Sequence, residues 1–301
     1  MHASLTRSFS QKTVISSAIA ILLLAACGRG SNSDDSASAS SDPPQNQSDD
    51  GIVGGRKVTE RDRAARSVVA LVSRQNEGQA LCTGTIYNES TILTAAHCVD
   101  HDPEELLIVF AKQLPGESAK AAPEISIERV RHADSFAQHP KWHKSETPGE
   151  GDLALIHFPG GLPADAAPVA LADQKIELKT GTPVLLVGYG VTSGLEKKGA
   201  GTLRSTESKV NAILSPSQVL TDGRARGVCF GDSGGPAFIR NAKAFIQWGI
   251  ASSVTRESCD EESIHTDVRP YRKWISKIAK TLAQKAAPGD GNIQLDDPDV
   301  N

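Results

Sequence analysis

The feature that most constrains this chain is the hexapeptide Gly-Asp-Ser-Gly-Gly-Pro at Gly231–Pro236. Its glycines leave the backbone free to turn tightly and to expose N–H groups around Ser233. Two further elements lie upstream: Thr-Ala-Ala-His-Cys, which contains His97, and Gly-Asp-Leu-Ala-Leu, which contains Asp152. Serine, histidine and aspartate are the residue types that nucleophilic catalysis of acyl transfer requires.

The chemistry explains why these residues are needed together. A serine hydroxyl is a poor nucleophile at neutral pH and needs an adjacent base. Histidine suits that role because its unperturbed pKa lies near the working pH, and it needs a buried acceptor that fixes its tautomer. We therefore predict Ser233 as the nucleophile, His97 as the general base and then acid, and Asp152 as the orienting carboxylate.

Each short match has a simpler interpretation when it is taken alone. Gly-Asp-Ser-Gly-Gly is commonly only a turn, His97 alone a structural histidine, and Asp152 alone a turn or capping residue. The residues around Ser233 also fit the Gly-x-Ser-x-Gly pattern of α/β-hydrolases, which run serine, acid, histidine along the chain. This chain runs histidine, acid, serine, so the joint pattern favours a different catalytic fold.

With a fourth element, Ile-Val-Gly-Gly at Ile52–Gly55, these motifs resemble the trypsin/chymotrypsin family of serine proteases over Ile52 to about Leu282. The resemblance implies an all-β fold of two six-stranded antiparallel β-barrels with a C-terminal helix and the triad in the cleft. It implies a serine endopeptidase that forms an acyl-enzyme, acts on polypeptides and uses no cofactor or metal. It assigns the oxyanion hole to the N–H groups of Gly231 and Ser233.

Apolar patterning agrees with that fold class. Short apolar runs bounded by Gly, Pro, Asn and Asp are typical of antiparallel strands. The runs are Ser67–Ser73, Thr85–Thr94, Leu106–Phe110, Pro183–Gly188 and Ile246–Ser252. Near the end of the chain, helical spacing of apolar residues predicts a helix. Its residues are Tyr271, Trp274, Ile275, Ile278 and Leu282.

The resemblance also implies two disulfides. Cys82 would pair with Cys98, pinning the histidine segment, and Cys229 with Cys259, tying the nucleophile loop to the specificity pocket. Four cysteines alone allow three connectivities, so the sequence itself leaves the pairing open. Zinc is disfavoured because no C-x-x-C or close His/Cys cluster is present.

Five residues are assigned to the specificity pocket by resemblance. They are Gly227, Ser252, Val254, Ser263 and His265. Gly227 stands where trypsin has the aspartate that selects Arg and Lys. Val254 stands where a glycine usually keeps the pocket open, which favours small apolar residues before the scissile bond. A cationic His265 would instead favour an acidic residue.

The residues around Ile52 predict activation by cleavage. In the family, a cut before Ile-Val-Gly-Gly frees an amine that pairs with the aspartate preceding the nucleophile, so the pair here would be Ile52 and Asp232. Gly51 precedes the bond, behind Asp49 and Asp50, so trypsin-like self-activation is not expected. We hypothesise a zymogen that another protease cuts at Gly51–Ile52, releasing the catalytic domain from its anchor.

The beginning of the chain has the pattern of a secretory signal peptide. It carries Arg7 and Lys12 but no acid, and Val14–Leu24 is nearly all apolar but too short to span a membrane. Leu-Ala-Ala-Cys, ending at Cys27, resembles a bacterial lipobox and implies lipidation of Cys27; an ordinary signal peptide with an incidental cysteine is the alternative. We expect an exported protein, lipid-anchored in the bacterial envelope at the outer membrane or cell surface.

Composition predicts four segments. They are a lipoprotein signal peptide (1–26), a polar disordered tether and propeptide (27–51), a protease domain (52–286) and an acidic disordered tail (287–301). The net charge of −4 gives no reason to expect nucleic acid as a partner, and we expect a monomer. The basic cluster Arg61, Arg63 and Arg66 is interpreted as solvated surface. A non-catalytic binding module and a lipoprotein ester hydrolase are the alternative functions.

Overall fold

The structure, a computed structural model, describes residues 52–75, 78–100, 103, 105–115, 125–145, 149–224, 226–241 and 244–285. The predicted signal peptide, tether and acidic tail, with Cys27, lie outside the described residues. Within the described ranges, every helix is too short or too polar to cross a bilayer.

Strands dominate the described chain, as the short apolar runs predict. The strands are β1 Arg56–Lys57, β2 Val68–Gln75, β3 Gly78–Asn88, β4 Thr91–Thr94, β5 Glu105–Val109, β6 Val130–His132, β7 Ser135–Gln138, β8 Ala154–His157, β9 Ala170–Leu171, β10 Pro183–Gly188, β11 Arg204–Ser215, β12 Gln218–Asp222, β13 Pro236–Asn241, β14 Ala244–Val254 and β15 Glu262–Asp267. The α-helices are α1 Lys141–Lys144 and α2 Arg272–Lys285, and the 3-10 helices are Arg63–Ser67, Ala96–Val99 and Ile127–Arg129.

The first sheet has the strand order β6-β5-β2-β3-β4-β8-β7 and is antiparallel throughout. β6 and β7 are consecutive along the chain yet lie at opposite edges of the sheet. No pairing joins β6 to β7 among the described strands, so this sheet of seven strands is a curved half-barrel and not the closed six-stranded barrel that was predicted. It is called the first barrel below. Alternate side chains fill its interior, including Leu71, Ile86, Ile92, Ile108 and Ile156.

The second sheet closes on itself. Its order is β1-β11-β10-β13-β14-β15-β12, and β12 pairs again with β11, so six strands form a closed barrel around Trp248. The predicted all-β, trypsin-like fold is confirmed. One detail differs: the run Thr85–Thr94 holds the end of β3 and all of β4, separated by a turn at Glu89 and Ser90.

The C-terminal helix is also confirmed. Ile275, Ile278 and Leu282 of α2 are buried, and they belong to one core cluster with Leu93 and Leu155 of the first sheet. Full burial of each such side chain contributes about 1.5–3 kcal/mol. Since α2 follows the last strand of the second barrel, this packing ties the end of the chain to the first barrel.

Candidate active site

Strand register brings His97 and Asp152 to the same end of the first barrel. Thr94, the last residue of β4, pairs with Ala154, the first residue of β8. His97 follows Thr94 on a short 3-10 turn, and Asp152 lies just before Ala154. Because the two strands are antiparallel, the end of β4 lies beside the start of β8. His97 and Asp152 therefore lie at the same end of the sheet.

Asp152 is buried, with 1% exposure, and its carboxylate accepts three hydrogen bonds. The His97 ring contributes Nδ1 at 2.9 Å, the His97 backbone N–H lies at 3.1 Å, and Ser252 Oγ donates at 2.5 Å. A carboxylate facing Nδ1 assigns the proton to that nitrogen and leaves Nε2 as an acceptor.

The same contacts set the basicity of His97. Burial of the ring lowers its pKa, but the hydrogen bond and charge of Asp152, with the charge of Asp100, outweigh burial and raise the pKa above its ordinary 6.5. A base whose pKa lies near the working pH is suited to moving a proton in both directions.

The loop that carries Ser233 is fixed to the first barrel by two hydrogen bonds from Thr83 of β3. Thr83 N–H donates to Ser233 O at 2.8 Å, and Thr83 Oγ1 donates to Gly231 O at 2.8 Å. Gly234 has φ +81°, and a Cβ there would clash with Thr94 Oγ1 and Thr83 O. Glycine is therefore needed where the loop passes the strand leading to His97.

Two N–H groups of this loop make no hydrogen bond with any described residue. The N–H groups of Asp232, Gly234 and Gly235 all donate to backbone carbonyls, whereas those of Gly231 and Ser233 do not. Gly231 has φ +96°, which an L side chain rarely adopts. Paired free N–H donors of this kind can stabilise a developing oxyanion.

Within the described chain, no hydrogen bond joins Ser233 Oγ to His97. Their segments are nevertheless adjacent, because Cys98 Sγ lies 3.5 Å from Ser233 O. Cys98 is bonded to Cys82, with a Cα–Cα distance of 6.1 Å, so the turn bearing His97 is anchored to β3. Catalytic hydrogen bonds are often long in a free enzyme and tighten when substrate binds.

Asp232 is fully buried beside Ser233, the predicted nucleophile. Its carboxylate accepts the N–H of Gly190 at 2.7 Å and that of Cys229 at 2.8 Å. A Cβ on Gly188 or Gly190 would collide with this carboxylate, so both glycines make room for it. Burial raises the pKa of Asp232 to about 7, although the two backbone hydrogen bonds and the charge of Arg204 act in the opposite direction.

The segment that begins at Ile52 enters the second barrel. Ile52 has no exposed surface. Val53 forms a bridge with Gly227, whose N–H donates to Val53 O at 3.1 Å. Both members of the predicted activation pair, Ile52 and Asp232, are therefore buried in this part of the molecule.

A pocket of about 340 Å³ opens beside Ser233. Two of the predicted specificity residues, Ser252 and Val254, line it. The Cys229–Cys259 disulfide, with a Cα–Cα distance of 5.5 Å, holds one end of the wall. The lining residues are Val228, Cys229, Phe230, Ser233 and residues 251–257.

The other three predicted specificity residues lie behind this lining. A Cβ on Gly227 would lie 3.2 Å from Ser263 Oγ, so these two residues face each other. His265 is fully buried, contacts Thr221 Oγ1 through Nε2 at 2.9 Å and packs on Trp248. Burial lowers the pKa of His265 to about 3, so the ring is neutral at physiological pH and provides no cation for an acidic substrate.

Sequence reasoning missed several residues that shape the site. Thr83 orients the nucleophile loop, and its only local signal is its position after Cys82. Phe230 lines the pocket beneath Lys197, whose Nζ lies 5.4 Å from the ring. Gly194 lies so close to the backbone of Glu257 that a Cβ would clash with it. These contacts join residues distant in sequence and leave no motif.

Among the described residues, one group has the spacing of a metal site: Cys82, His97 and Cys98. Both cysteines are consumed by their disulfide, and thiolates are the form that binds metal. The donor set does not fit an ion.

Comparison with known proteins decides the family. The family model described as Trypsin matches residues 52–275. The chain belongs to the trypsin family.

Individual trypsin-family relatives agree. Granzyme M of Homo sapiens is 28% identical over 242 residues, covering 75% of this chain and 88% of that protein. Serine protease 56 of Homo sapiens is 34% identical over 232 residues, covering 69% of this chain and 36% of that protein. Chymotrypsin of Phaedon cochleariae is 25% identical over 247 residues, covering 77% of this chain and 84% of that protein. The enzyme class predicted from the sequence, a serine-type endopeptidase acting on polypeptides, is confirmed.

A solved structure described as human heparin binding protein superposes with a TM-score of 0.61 at 20% identity. The match covers 80% of this chain and 100% of the other. At that identity the likeness concerns the trypsin-like fold alone.

Proposed function

We propose that this protein is a serine endopeptidase whose triad is His97, Asp152 and Ser233. The observation that carries the proposal is the buried Asp152 carboxylate, bonded to both the ring and the backbone of His97, beside a pocket that Ser233 lines. The free N–H groups of Gly231 and Ser233 on the neighbouring loop favour a catalytic role for His97 over a purely structural one.

The geometry supports a two-step acyl transfer. His97 Nε2 takes the Ser233 Oγ proton as that oxygen attacks the scissile carbonyl, and Asp152 stabilises the imidazolium. The N–H groups of Gly231 and Ser233 receive the oxyanion, and loss of one such donor costs roughly 3–4 kcal/mol. His97 then protonates the leaving amine, and water repeats the sequence on the acyl-enzyme.

The pocket favours an uncharged residue before the scissile bond. Gly227 and the neutral His265 lie behind the lining and supply no charge to the pocket. Val254 is among the lining residues and would reduce the space for a large side chain. We infer a preference for small or medium apolar side chains, and not for Arg, Lys or acidic residues.

We further propose that the chain is a zymogen activated at Gly51–Ile52 by another protease. A free Ile52 amine would supply a cation for the buried Asp232 carboxylate. The proposal draws on the burial of both residues and on the raised pKa of Asp232.

For the segments outside the described residues, the sequence supports a lipoprotein signal peptide (1–26), a tether (27–51) and an acidic tail (287–301). We propose export and lipidation at Cys27, which would hold the domain at the bacterial envelope until cleavage releases it. Mass spectrometry of the mature N-terminus tests this: an acylated Cys27 is expected, and an unmodified terminus elsewhere would contradict it.

The decisive test uses protein that begins at Ile52, beside its Ser233→Ala control. Both are incubated with a peptide library, and cleavage sites are read by mass spectrometry. Cleavage after apolar residues that disappears in the control is expected. Folded, disulfide-bonded protein with a free Ile52 amine and no Ser233-dependent cleavage would contradict the proposal and favour a binding module.

A further inference from the structure

A second crevice, of about 420 Å³, lies apart from the residues of the candidate active site. It separates the 3-10 helix Arg63–Ser67 and the residues before it from strands β10, β11 and β13. Its volume is within the range of small-molecule sites, which span roughly 300–1,000 Å³.

The rim of this crevice is cationic, although the whole chain is acidic with a net charge of −4. Four arginines and two carboxylates line it: Arg56, Arg61, Arg63, Arg240, Asp62 and Glu207. The concentration of arginine here is therefore a local property and not a consequence of a basic protein.

One arginine and one carboxylate neutralise each other. Arg56 donates two hydrogen bonds to Asp62, at 3.0 and 2.5 Å, and Thr59 donates to the same carboxylate through N–H and Oγ1. The Arg56 guanidinium holds the pKa of Asp62 well below its usual range. This pair leaves Glu207 as the remaining acid on the rim.

The other three guanidinium groups form no hydrogen bond or ion pair with any residue that the structure describes. Arg61 and Arg63 flank Asp62 in sequence, and Arg240 reaches the crevice from β13. Arg240 is held over the ring of Phe245, with its guanidinium carbon 5.3 Å from the ring centroid. Three available cations therefore oppose one carboxylate.

The walls of the crevice are apolar. Five aliphatic residues and one aromatic residue form them: Val58, Ala64, Ala65, Leu185, Val187 and Phe245. Ligand sites are typically apolar with a few placed polar groups that fix orientation. Arginine is the side chain best suited to grip a carboxylate, sulfate or phosphate through paired hydrogen bonds.

We propose that this crevice binds a small amphiphilic anion. The acyl or aryl body of the ligand lies along the apolar walls, and its carboxylate, sulfate or phosphate head contacts Arg61, Arg63 and Arg240. The site is separate from peptide hydrolysis and does not depend on the proposed triad.

The test is isothermal titration calorimetry of the full chain carrying Ser233→Ala, with decyl phosphate below its aggregation concentration. We expect saturable one-to-one binding. Removing three charged contacts through Arg61→Gln, Arg63→Gln and Arg240→Gln together should weaken binding by about tenfold or more. Ala244→Trp, which fills the exposed edge of the crevice and keeps every charge, should weaken it as well.

A matched control removes the same number of charges from the exposed face of α2, through Lys273→Gln, Lys277→Gln and Lys280→Gln. This variant should bind decyl phosphate within twofold of the parent. Equal weakening by the α2 variant would overturn the site in favour of general electrostatic attraction. Inorganic phosphate that binds as tightly as decyl phosphate would overturn the role of the apolar walls, and absence of saturable binding would overturn the proposal.

Discussion

Two carboxylates of the candidate active site, Asp152 and Asp232, are equally hidden from solvent but differently surrounded. Asp152 is 1% exposed and accepts two hydrogen bonds from His97 and one from Ser252. Asp232 has no exposed surface and accepts two backbone N–H groups, and burial raises its pKa to about 7.

The difference suggests that Asp152 has all of its partners in the uncut chain, whereas Asp232 lacks a fully compensating cation. A buried carboxylate is stable as an anion only when charge or hydrogen bonds replace its hydration. The neighbours of Asp152 include an imidazole that can become cationic. Asp232 already feels the charge of Arg204, and under the proposed activation it would gain a second cation, the amine that cleavage before Ile52 creates.

Asp152→Asn should have the largest effect. The amide keeps the shape of the side chain but removes the anion that fixes the Nδ1–H tautomer of His97. In protein that begins at Ile52, we expect kcat to fall by about 10⁴-fold with the fold retained. Steady-state kinetics with circular dichroism tests this, and a loss smaller than tenfold would show that Asp152 does not orient the base.

Asp232→Asn should have the next largest effect, and only in the cleaved form. Removing one partner of a buried ion pair costs about 3–5 kcal/mol, so peptidase activity of protein beginning at Ile52 should fall about 10²–10⁴-fold. Uncut chain has no free amine, so the substitution should not destabilise it at pH 8. A destabilised uncut chain would mean that the charge of Arg204 already stabilises the Asp232 anion before cleavage.

In the uncut chain, Asp232 should also make the free energy of unfolding depend on pH. The folded pKa of about 7 exceeds the ordinary 3.8, so this carboxyl stabilises the fold below about pH 4 and loses that contribution as pH rises through 7. Relative to Asp232→Asn, the parent should lose up to about 4 kcal/mol of unfolding free energy between pH 4 and pH 8. Urea unfolding in a Ser233→Ala background measures this; a pH-independent difference is the contrary result.

The smallest effect concerns Asp100, whose charge helps raise the pKa of His97. If the neutral ring is the base, as proposed, kcat/KM should rise with pH through a midpoint above 6.5. Asp100→Asn should move that midpoint down, because the neutral amide no longer stabilises the imidazolium. A pH–rate profile measures the midpoint, and an upward shift would show that the charge of Asp100 does not raise the pKa of His97.

The sequence predicted the parts of this molecule that chemistry marks locally. Ser233, His97 and Asp152 stand in short motifs, and the apolar spacing of α2 is visible in its residues. The turn that separates β3 from β4 was missed although Asn88, Glu89 and Ser90 form a polar cluster, because the segment was interpreted as one apolar run.

Contacts between distant segments were beyond reach of the sequence. Thr83 binds the nucleophile loop through a register that only the folded chain creates. His265 was assigned to the pocket by position, yet its strand turns the ring into the core against Trp248. Whether a side chain faces a pocket or a core depends on neighbouring strands that the local sequence does not specify.

The docking of α2 on the first barrel bears on when the proposed active site becomes complete during synthesis of the chain. Synthesis delivers His97 and Asp152 early, the serine loop much later, and the helix last. The helix must then return to the barrel that was made first, where it contributes Ile275 and Ile278 to the core. A nascent or truncated chain therefore holds the proposed base and its carboxylate without a finished scaffold, and we expect it to show no peptidase activity until α2 has docked.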